Sequence, residues 1–231
     1  MLLCSIFHTA SATEFGAPFI ANFSPRDYNA SNQNWCVAQD QRGLIYVGNS
    51  RGVLEFDGAQ WRLIPLQNNA AALSIAINQD NTIFVGGKGD FGFLQPDSNG
   101  QLTYTSLKPL LAPDDLDFSD VWEIIAHKNA VYFRTAERLF RYTPSSGNND
   151  TYLKSWRPKH RFHVAFRAGD EVFVRQRSVG LYKINGDDLE FIPGSEVFSD
   201  ESIYSCLNIA DNRLLLTRTR GLYSFDGRTF S

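Results

Sequence analysis

One stretch of the sequence has a glycine spacing that can bind phosphate groups. Residues 87–92 read Gly-Lys-Gly-Asp-Phe-Gly, which satisfies the G-x-G-x-x-G pattern of dinucleotide loops and contains the D-F-G triplet of protein kinases. A dinucleotide loop needs a helix after its third glycine, because the free N–H groups of the helix N-terminus bind the phosphate. Residues 93–96, Phe-Leu-Gln-Pro, contain a proline that excludes a helix there. The pattern therefore predicts a hairpin loop.

Histidine, cysteine and carboxylate side chains do not combine into a metal or catalytic site. His160 and His163 are three residues apart, but no third ligand stands near them, and His127 is distant in the sequence. The three cysteines have no C-x-x-C spacing, and the aspartates are scattered among turn sequences, where this residue type forms turns. We therefore expect no catalytic residue, no metal site and no cofactor, so that the chain is not an enzyme.

Arginine and aromatic side chains are the strongest candidates for ligand binding. Trp35, Trp122 and Phe162 stand at the start of recurring apolar segments, and Arg177 and Arg220 follow later segments of the same units. Arginine binds carboxylates and sulfates through two parallel hydrogen bonds. A rim of arginine and aromatic residues would therefore suit a small anionic ligand or a carbohydrate. The alternative is a structural one, in which the aromatic side chains pack between sheets and the arginines remain solvated.

The elements that must position these residues repeat along the chain. Each unit has an aromatic-led apolar segment, a turn rich in Asp, Asn and Gly, a second apolar segment, a charged loop and a third segment. The first copy runs from Trp35 to the turn Asp57-Gly58, a dipeptide that favours a hairpin. Equivalent residues of the second segment are 38, 48, 41 and 42 positions apart, at Tyr46, Phe84, Tyr132, Phe173 and Leu215.

A period of about 42 residues with four short strands per unit is typical of a β-propeller blade. No segment shows the 3.6-residue periodicity of a long amphipathic helix. We therefore predict an all-β fold, a β-propeller with about five four-stranded blades, of which the last is incomplete. The predicted segments are a truncated signal peptide at 1–12, a lead-in at 13–33, and a propeller at 34–231 with blades at 34–66, 71–107, 120–156, 161–194 and 202–231.

Charge is distributed unevenly between the loops of these predicted blades. Loops between second and third strands carry a net +5, whereas first-to-second loops sum to −2 and third-to-fourth turns to −5. In a propeller the second-to-third loops share one face with the segments that connect the blades. The sequence therefore predicts one basic and one acidic face. The residues that give the basic sum are Arg51, Lys88, Asp90, Glu137, Arg138, Arg175, Arg177, Arg218 and Arg220.

The repeats resemble those of the two-component regulator propeller family. That repeat runs roughly aromatic-x-aliphatic-x-x-Asp-x-x-Gly-x-aliphatic-aromatic-x-Gly, followed by Gly-aliphatic-x-x-aromatic-Asp-Gly. The first copy matches from Trp35 to Gly58, and the fifth keeps Gly-Leu-Tyr-Ser-Phe-Asp-Gly at 221–227. The third and fourth copies depart from the pattern, since Arg134 and Arg175 stand where a glycine is expected after the second strand. The resemblance covers about residues 18–231.

The resemblance implies a seven-bladed propeller that acts as the extracytoplasmic sensor of a larger bacterial receptor. A transmembrane helix and an output module, such as a histidine kinase or a diguanylate cyclase, would then follow this chain as signalling domains that it lacks. We expect the propeller to sense a ligand for a two-component or cyclic-di-GMP pathway. We also expect this sequence to be a fragment of the larger receptor and to form a homodimer. The alternatives are a carbohydrate-active propeller enzyme, either lyase or hydrolase, and a protein-binding scaffold.

The N-terminus and the composition indicate an exported globular domain. Residues 1–7 are apolar and Ala10-Ser11-Ala12 fits the A-x-A pattern of signal peptidase, although the positive n-region is missing. We therefore expect a periplasmic location. The sequence contains no apolar run of 18 residues that could span a membrane, and a net charge of −3 does not suggest nucleic-acid binding. With 13% aromatic residues and one methionine, the composition favours strands.

Overall fold

Antiparallel strands dominate the computed structural model, which describes residues 20–144, 152–209, 212–226 and 229–231. They form five sheets, and within each sheet the strands lie side by side in chain order. The first sheet contains β1 (Asn34–Gln39), β2 (Ile45–Asn49), β3 (Gly52–Phe56) and β4 (Trp61–Ile64), and the second contains β5 (Ala72–Ile77), β6 (Ile83–Gly87), β7 (Phe91–Pro96) and β8 (Leu102–Ser106).

The remaining sheets follow the same order. The third contains β9 (Glu123–His127), β10 (Ala130–Arg134), β11 (Leu139–Thr143) and β12 (Tyr152–Trp156), the fourth β13 (Phe162–Ala168), β14 (Glu171–Gln176), β15 (Gly180–Asn185) and β16 (Asp188–Phe191), and the fifth β17 (Ile203–Ile209), β18 (Asn212–Thr217) and β19 (Leu222–Phe225). The described residues also form the helix α1 (Pro25–Tyr28) and four short 3-10 helices at Gln67–Asn69, Lys108–Leu110, Pro113–Asp115 and Ser195–Phe198.

Aspartate and glycine residues form two of the predicted turns. At the Asp57-Gly58 turn, Asp57 Oδ1 accepts hydrogen bonds from the backbone N–H groups of Ala59 and Gln60 at 2.8 and 2.7 Å. Gly58 has a φ of +95°, a value that a residue with a side chain rarely adopts. The glycine-rich segment 87–92 is the predicted hairpin turn between β6 and β7, closed by the Gly87 N–H and the Asp90 carbonyl at 2.8 Å.

The hydrophobic core lies between successive sheets and not within a single layer. Four clusters of buried side chains fill the four spaces between neighbouring sheets, with Tyr46 and Phe84 among their fully buried members. The first strands β1, β5, β9, β13 and β17 contact one another in that order. Five sheets packed face to face through their first strands form the blades of a β-propeller, and the predicted fold class is confirmed.

The fifth blade differs from the other four in having three strands. An isolated bridge between Phe225 and Phe230 marks the position of a fourth strand, and the two rings stack with centroids 4.4 Å apart. The face of this sheet directed away from the fourth blade exposes Leu207, Leu216 and Leu222. The incomplete last blade expected from the sequence is therefore confirmed.

The segment before the first blade packs against the outer strand of that blade. Phe23 and Tyr28 lie beside Trp61 of β4, with ring centroids 5.3 and 5.7 Å from it. A capping box formed by Ser24 and Asp27 begins the short helix α1. The proposed signal peptide at 1–12 lies outside the described residues. Within the described part of the chain, no helix is long and apolar enough to cross a membrane.

A glycine near the end of the second strand sets the distance between blades. A Cβ atom added to Gly86 would lie 2.6 Å from Val121 Cγ1 in the third blade and 2.4 Å from Ser74 Oγ. A Cβ added to Gly48 would meet the Ala72 carbonyl oxygen of the second blade at 2.8 Å. The first three blades therefore approach each other closely because these positions carry no side chain.

We expect Gly86→Ala to lower the free energy of unfolding by about 1–3 kcal/mol, because overpacking a close contact costs about that much. Urea unfolding followed by far-UV circular dichroism measures the change. Combined with Val121→Ala, the substitution should cost less than the two single changes added, since loss of Val121 Cγ1 removes one of the two shortest contacts of the new methyl group. Strict additivity of the three measured changes would contradict a direct contact between these positions.

Candidate functional site

The first strand of most blades carries one extra residue near its beginning. The pairing between first and second strands shifts by one residue there in the first, second, fourth and fifth blades. An extra residue of this kind re-aims its side chain out of the ladder. The residues at these places are Trp35, Leu73, His163 and Tyr204, and Trp122 directly precedes β9 in the third blade. We call these five the mouth residues.

Two tryptophans among the mouth residues contact each other across the blades. The rings of Trp35 in the first blade and Trp122 in the third have centroids 5.8 Å apart in a T-shaped arrangement. Trp35 Nε1 donates a hydrogen bond to Ser50 Oγ at 3.1 Å, which fixes the orientation of the indole. Both side chains remain about two-fifths exposed, at 40% and 42%. The pair therefore offers an open aromatic surface.

A cavity of about 360 Å³ opens beside Trp122, between the third and fourth blades. It is lined by Ser119, Trp122, Arg134, Ala136, Arg161, Phe162, His163 and Arg177. We call it the blade 3–4 cavity. The cavity lies where the third copy departs from the repeat pattern. In the second blade Gly86 is the register partner of Ser74, and at the equivalent position of the third blade Arg134 is the register partner of Glu123.

Arg134 is held in place by an ion pair that also joins the two blades. Its guanidinium Nε donates to Glu123 Oε2 at 2.8 Å, and its side chain is only 7% exposed. The same carboxylate oxygen accepts a hydrogen bond from the backbone N–H of Ala165 in the fourth blade at 2.7 Å. Glu123 thus satisfies a buried cation and a strand N–H of the next blade together.

The other two arginines of the cavity differ in their partners. Arg161 Nη2 donates to Glu137 Oε1 at 2.8 Å, and Glu137 also accepts from the backbone N–H and hydroxyl of Ser119. Partial burial alone would raise the pKa of Glu137, but the hydrogen bonds from Arg161 and Ser119 outweigh it and lower that pKa. The exposed Arg177 side chain has no hydrogen bond or ion pair with any described residue, so its charge is available.

The surroundings of His163, which lines this cavity, disfavour a positive charge on its imidazole. Burial lowers the pKa of His163 to about 4, and the charges of Arg175, Arg177 and Arg134 act in the same direction. Its Nδ1 is buried and has no hydrogen-bond partner among the described residues. At neutral pH the imidazole is therefore uncharged and surrounded by guanidinium groups.

The structure brings four of the five predicted site residues to this cavity or its edge. Trp122 and Arg177 line it with exposed side chains, and Trp35 contacts Trp122 at its edge. Phe162 also borders the cavity, but it is 1% exposed and belongs to the apolar cluster between the third and fourth blades. Arg220 lies outside the lining and donates Nη1 to the carbonyl of Val197 at 3.2 Å.

The repeat pattern in the sequence makes Phe162 the equivalent of Trp35. The strand register shows instead that His163 is the equivalent residue. Phe162 is the partner of Gln176 before the register shift, and Val164 is the partner of Arg175 after it. The extra residue between them is His163, which the repeat pattern did not single out because a bulge has no distinct residue signature. Arg134 was visible in the sequence as a departure from the expected glycine.

The loops that carry the predicted basic charge share one face, but several of their charges are paired or buried. The backbone N–H of Arg177 donates to the Arg161 carbonyl at 2.8 Å, so second-to-third turns and blade connections do share one face. Arg138, however, pairs with Asp115 at 3.3 Å. Asp90 and Arg175 are buried instead of facing solvent. Of the residues assigned to the acidic face, Asp150, Asp211 and Arg228 lie outside the described residues.

A second cavity of about 350 Å³ lies at the opposite end of the first strands. It is bordered by Gln41, Ile77, Asn78, Gln79, Ala126, His127, Lys128, Arg167 and Asp170. His127 Nε2 and the Asp170 carbonyl are 3.1 Å apart, and Lys128 pairs with the Asp170 carboxylate at 3.7 Å. His127 and His163 are therefore at opposite ends of the blades. Among the described residues, no three metal-ligating side chains are grouped.

Comparison with known proteins identifies solved structures with the same fold. No family model and no curated protein matches the chain. The extracellular domain of a hybrid two-component system from B. thetaiotaomicron is 15% identical and has a TM-score of 0.61 over 86% of this chain and 27% of that one. Virginiamycin B lyase from Staphylococcus aureus, solved with quinupristin, is 12% identical with a TM-score of 0.59, over 83% and 65% of the respective chains.

At 12–15% sequence identity, these similarities support the fold alone. The expected likeness to an extracytoplasmic sensor propeller is confirmed for the fold, since the two-component structures are among the matches. The chain spans about a quarter of the length of the first of these domains, at 27%.

The two ion pairs at the cavity should contribute unequally to stability. We expect Glu123→Gln to lower the free energy of unfolding by about 2–3 kcal/mol, because it leaves the Arg134 charge buried without a counter-charge. Glu137→Gln should cost less than about 1 kcal/mol, because Arg161 remains largely solvated. Thermal and urea unfolding of the two matched variants measure the difference. Equal losses would contradict the assignment of Glu123 as the buried partner.

Proposed function

We propose that this chain is a ligand-sensing β-propeller segment of an extracytoplasmic bacterial signalling receptor, and that it binds a small anionic or carbohydrate ligand without turning it over. The observation that carries the proposal is the contact between Trp35 and Trp122 at 5.8 Å, beside a cavity lined by three arginines. Aromatic faces bind the apolar faces of sugar rings, and guanidinium groups bind carboxylates and sulfates. The mouth residues and the blade 3–4 cavity together offer both.

The two-component part of the proposal is supported by the repeat resemblance and by the fold. The similar structure from a hybrid two-component system is an extracellular domain, in agreement with the periplasmic location expected from Ala10-Ser11-Ala12. Signalling domains outside this chain would carry the output, and a dimer of propellers would be one way to transmit it. Kinase or cyclase activity is assigned to those domains.

Binding without turnover is supported by the contacts of the carboxylates near the cavity. Glycan hydrolysis and elimination require an acid or base group with a pKa near the working pH. Glu123 is engaged by Arg134 and by a backbone N–H, and the pKa of Glu137 is lowered by Arg161. Both carboxylates are therefore engaged in contacts that position arginines.

A ligand at this place would contact three blades together. Trp35 belongs to the first blade, Trp122 to the third and Arg177 to the fourth, so a molecule that touches all three would add the fourth blade to the contact that Trp35 and Trp122 already make. A ligand shifts a conformational equilibrium only by its difference in affinity for the two states. Contact with several blades provides such a difference whenever the blades move relative to one another.

We expect Trp122→Ala to weaken binding of a responsive oligosaccharide at least about tenfold, equivalent to about 1.4 kcal/mol of lost stacking. Calorimetric titration of the 231-residue chain against neutral and acidic oligosaccharides measures affinity. Tyr152→Ala is the matched control, since Tyr152 is similarly exposed, at 44%, but lies on the outer strand of the third blade. Undiminished affinity in Trp122→Ala, or no binding by any oligosaccharide, would count against the proposed function.

A further inference from the structure

Two buried polar atoms on adjacent strands of the fourth blade lack hydrogen-bond partners in the described part of the chain. They are His163 Nδ1 and Arg175 Nη1. The residues lie on the adjacent strands β13 and β14, where Val164, next to His163, is the register partner of Arg175. A buried polar group without a hydrogen-bond partner is destabilising, and such groups often mark a place where a water, an ion or a ligand binds. His163 lines the cavity itself.

Arg175 provides a fixed positive charge on β14, with its guanidinium directed to the segment that connects the fourth and fifth blades. It is 2% exposed, and its guanidinium donates from Nε to the carbonyl of Phe198 at 2.7 Å and from Nη2 to that of Ser199 at 2.8 Å. These carbonyls satisfy hydrogen bonds without neutralising the charge. Glu201 and Asp200 act on Arg175 as opposite charges, and Glu201 is already bonded to Thr219.

The charges around His163 leave an excess of positive charge. Arg134 is offset by Glu123, and Arg161 by Glu137, through ion pairs of 2.8 Å each. Arg177 faces the same cavity and has no ionic partner among the described residues. A cavity with uncompensated guanidinium charge and a free imidazole nitrogen is complementary to an anion with two or more oxygen acceptors.

We propose that the blade 3–4 cavity is an oxyanion site for a carboxylate or sulfate group, and that His163 takes up a proton when the anion binds. The inference rests on the proposed function and narrows it to one chemical group and one place. The anion accepts hydrogen bonds from the guanidinium of Arg177 and from the His163 imidazole. The proton comes from solvent and is bound at the imidazole, so no covalent bond changes.

Proton uptake makes the affinity depend on pH in one direction. Burial and the charges of Arg175, Arg177 and Arg134 lower the pKa of His163 to about 4 in the empty site. A bound anion opposes those charges and raises that pKa. Because the bound state then holds more protons than the free state between about pH 4 and 6.5, affinity increases as the pH falls through that range.

The size of the effect follows from the two pKa values. If the bound anion restores the ordinary value near 6.5, affinity at about pH 5 is about 30-fold higher than at about pH 7.5. Sulfate suits this measurement because it does not titrate in that range, and glucuronate carries the alternative carboxylate chemistry on a sugar ring. A difference in affinity between the two anions shows whether the site prefers a sulfate or a carboxylate group.

The test is an NMR titration of the histidine ring signals of the 231-residue chain with sodium sulfate and with sodium glucuronate, at about pH 5 and about pH 7.5. Sodium chloride at equal ionic strength is the reference. We expect sulfate or glucuronate to raise the titration midpoint of His163 by more than about one pH unit and to bind about 30-fold more tightly at the lower pH. Circular dichroism confirms that each variant is folded.

Four variants separate the roles of the residues. His163→Gln should abolish the pH dependence, whereas His160→Gln, in the segment just before β13 and outside the cavity lining, should leave it unchanged. Arg177→Ala should weaken binding at least about tenfold, whereas Arg218→Ala, on the same face and outside the lining, should not. An unchanged His163 midpoint in both anions, or equal affinity in Arg177→Ala, would overturn the oxyanion site.

The outcomes distinguish this inference from the proposed function. If neither anion affects His163 while an oligosaccharide still binds in a manner that depends on Trp122, the oxyanion site is wrong and the sensor proposal stands. If sulfate binds as expected and no oligosaccharide does, the oxyanion site stands and the carbohydrate part of the proposed function is wrong.

Discussion

The close approach of neighbouring blades near the end of each second strand is the constraint on which this fold depends. In the first two blades that position is a glycine, and the next blade approaches so closely that a methyl group at Gly86 would lie 2.6 Å from Val121. The interior is packed at a density at which an added carbon is costly. The core clusters therefore form between the blades, and each blade is held mainly by its neighbours.

The third and fourth blades meet this constraint differently. Arg134 and Arg175 occupy the register positions of Gly48 and Gly86, and each guanidinium is buried with hydrogen bonds to oxygen atoms. Close apolar contact is thereby replaced with buried charge held by Glu123 or by backbone carbonyls. The cavity beside Trp122 lies where this replacement occurs, so the same substitution that weakens the repeat pattern also creates the candidate site.

Charge at this face is decided by pairing and not by composition. A sum over the loops gives +5 for the basic face, yet Arg138 is paired with Asp115, and Arg161 with Glu137. Arg177 remains available to a ligand at the cavity. A site of this kind uses most of its arginines to build a rigid wall and leaves few of them to bind, which suits recognition of a single anionic group.

The sequence by itself determined the period, the turns and the order of strands, because these depend on local residue patterns. The repeat spacing, Asp57-Gly58 and the apolar segments were sufficient for five blades with an incomplete last one. Tertiary structure decided which side chain reaches the mouth: a one-residue shift in β13 buries Phe162 and presents His163. It also decided which charges are cancelled, since Arg138 and Asp115 are 23 residues apart and meet only in the folded chain. Register and pairing arise from packing between distant segments, and no local pattern encodes them.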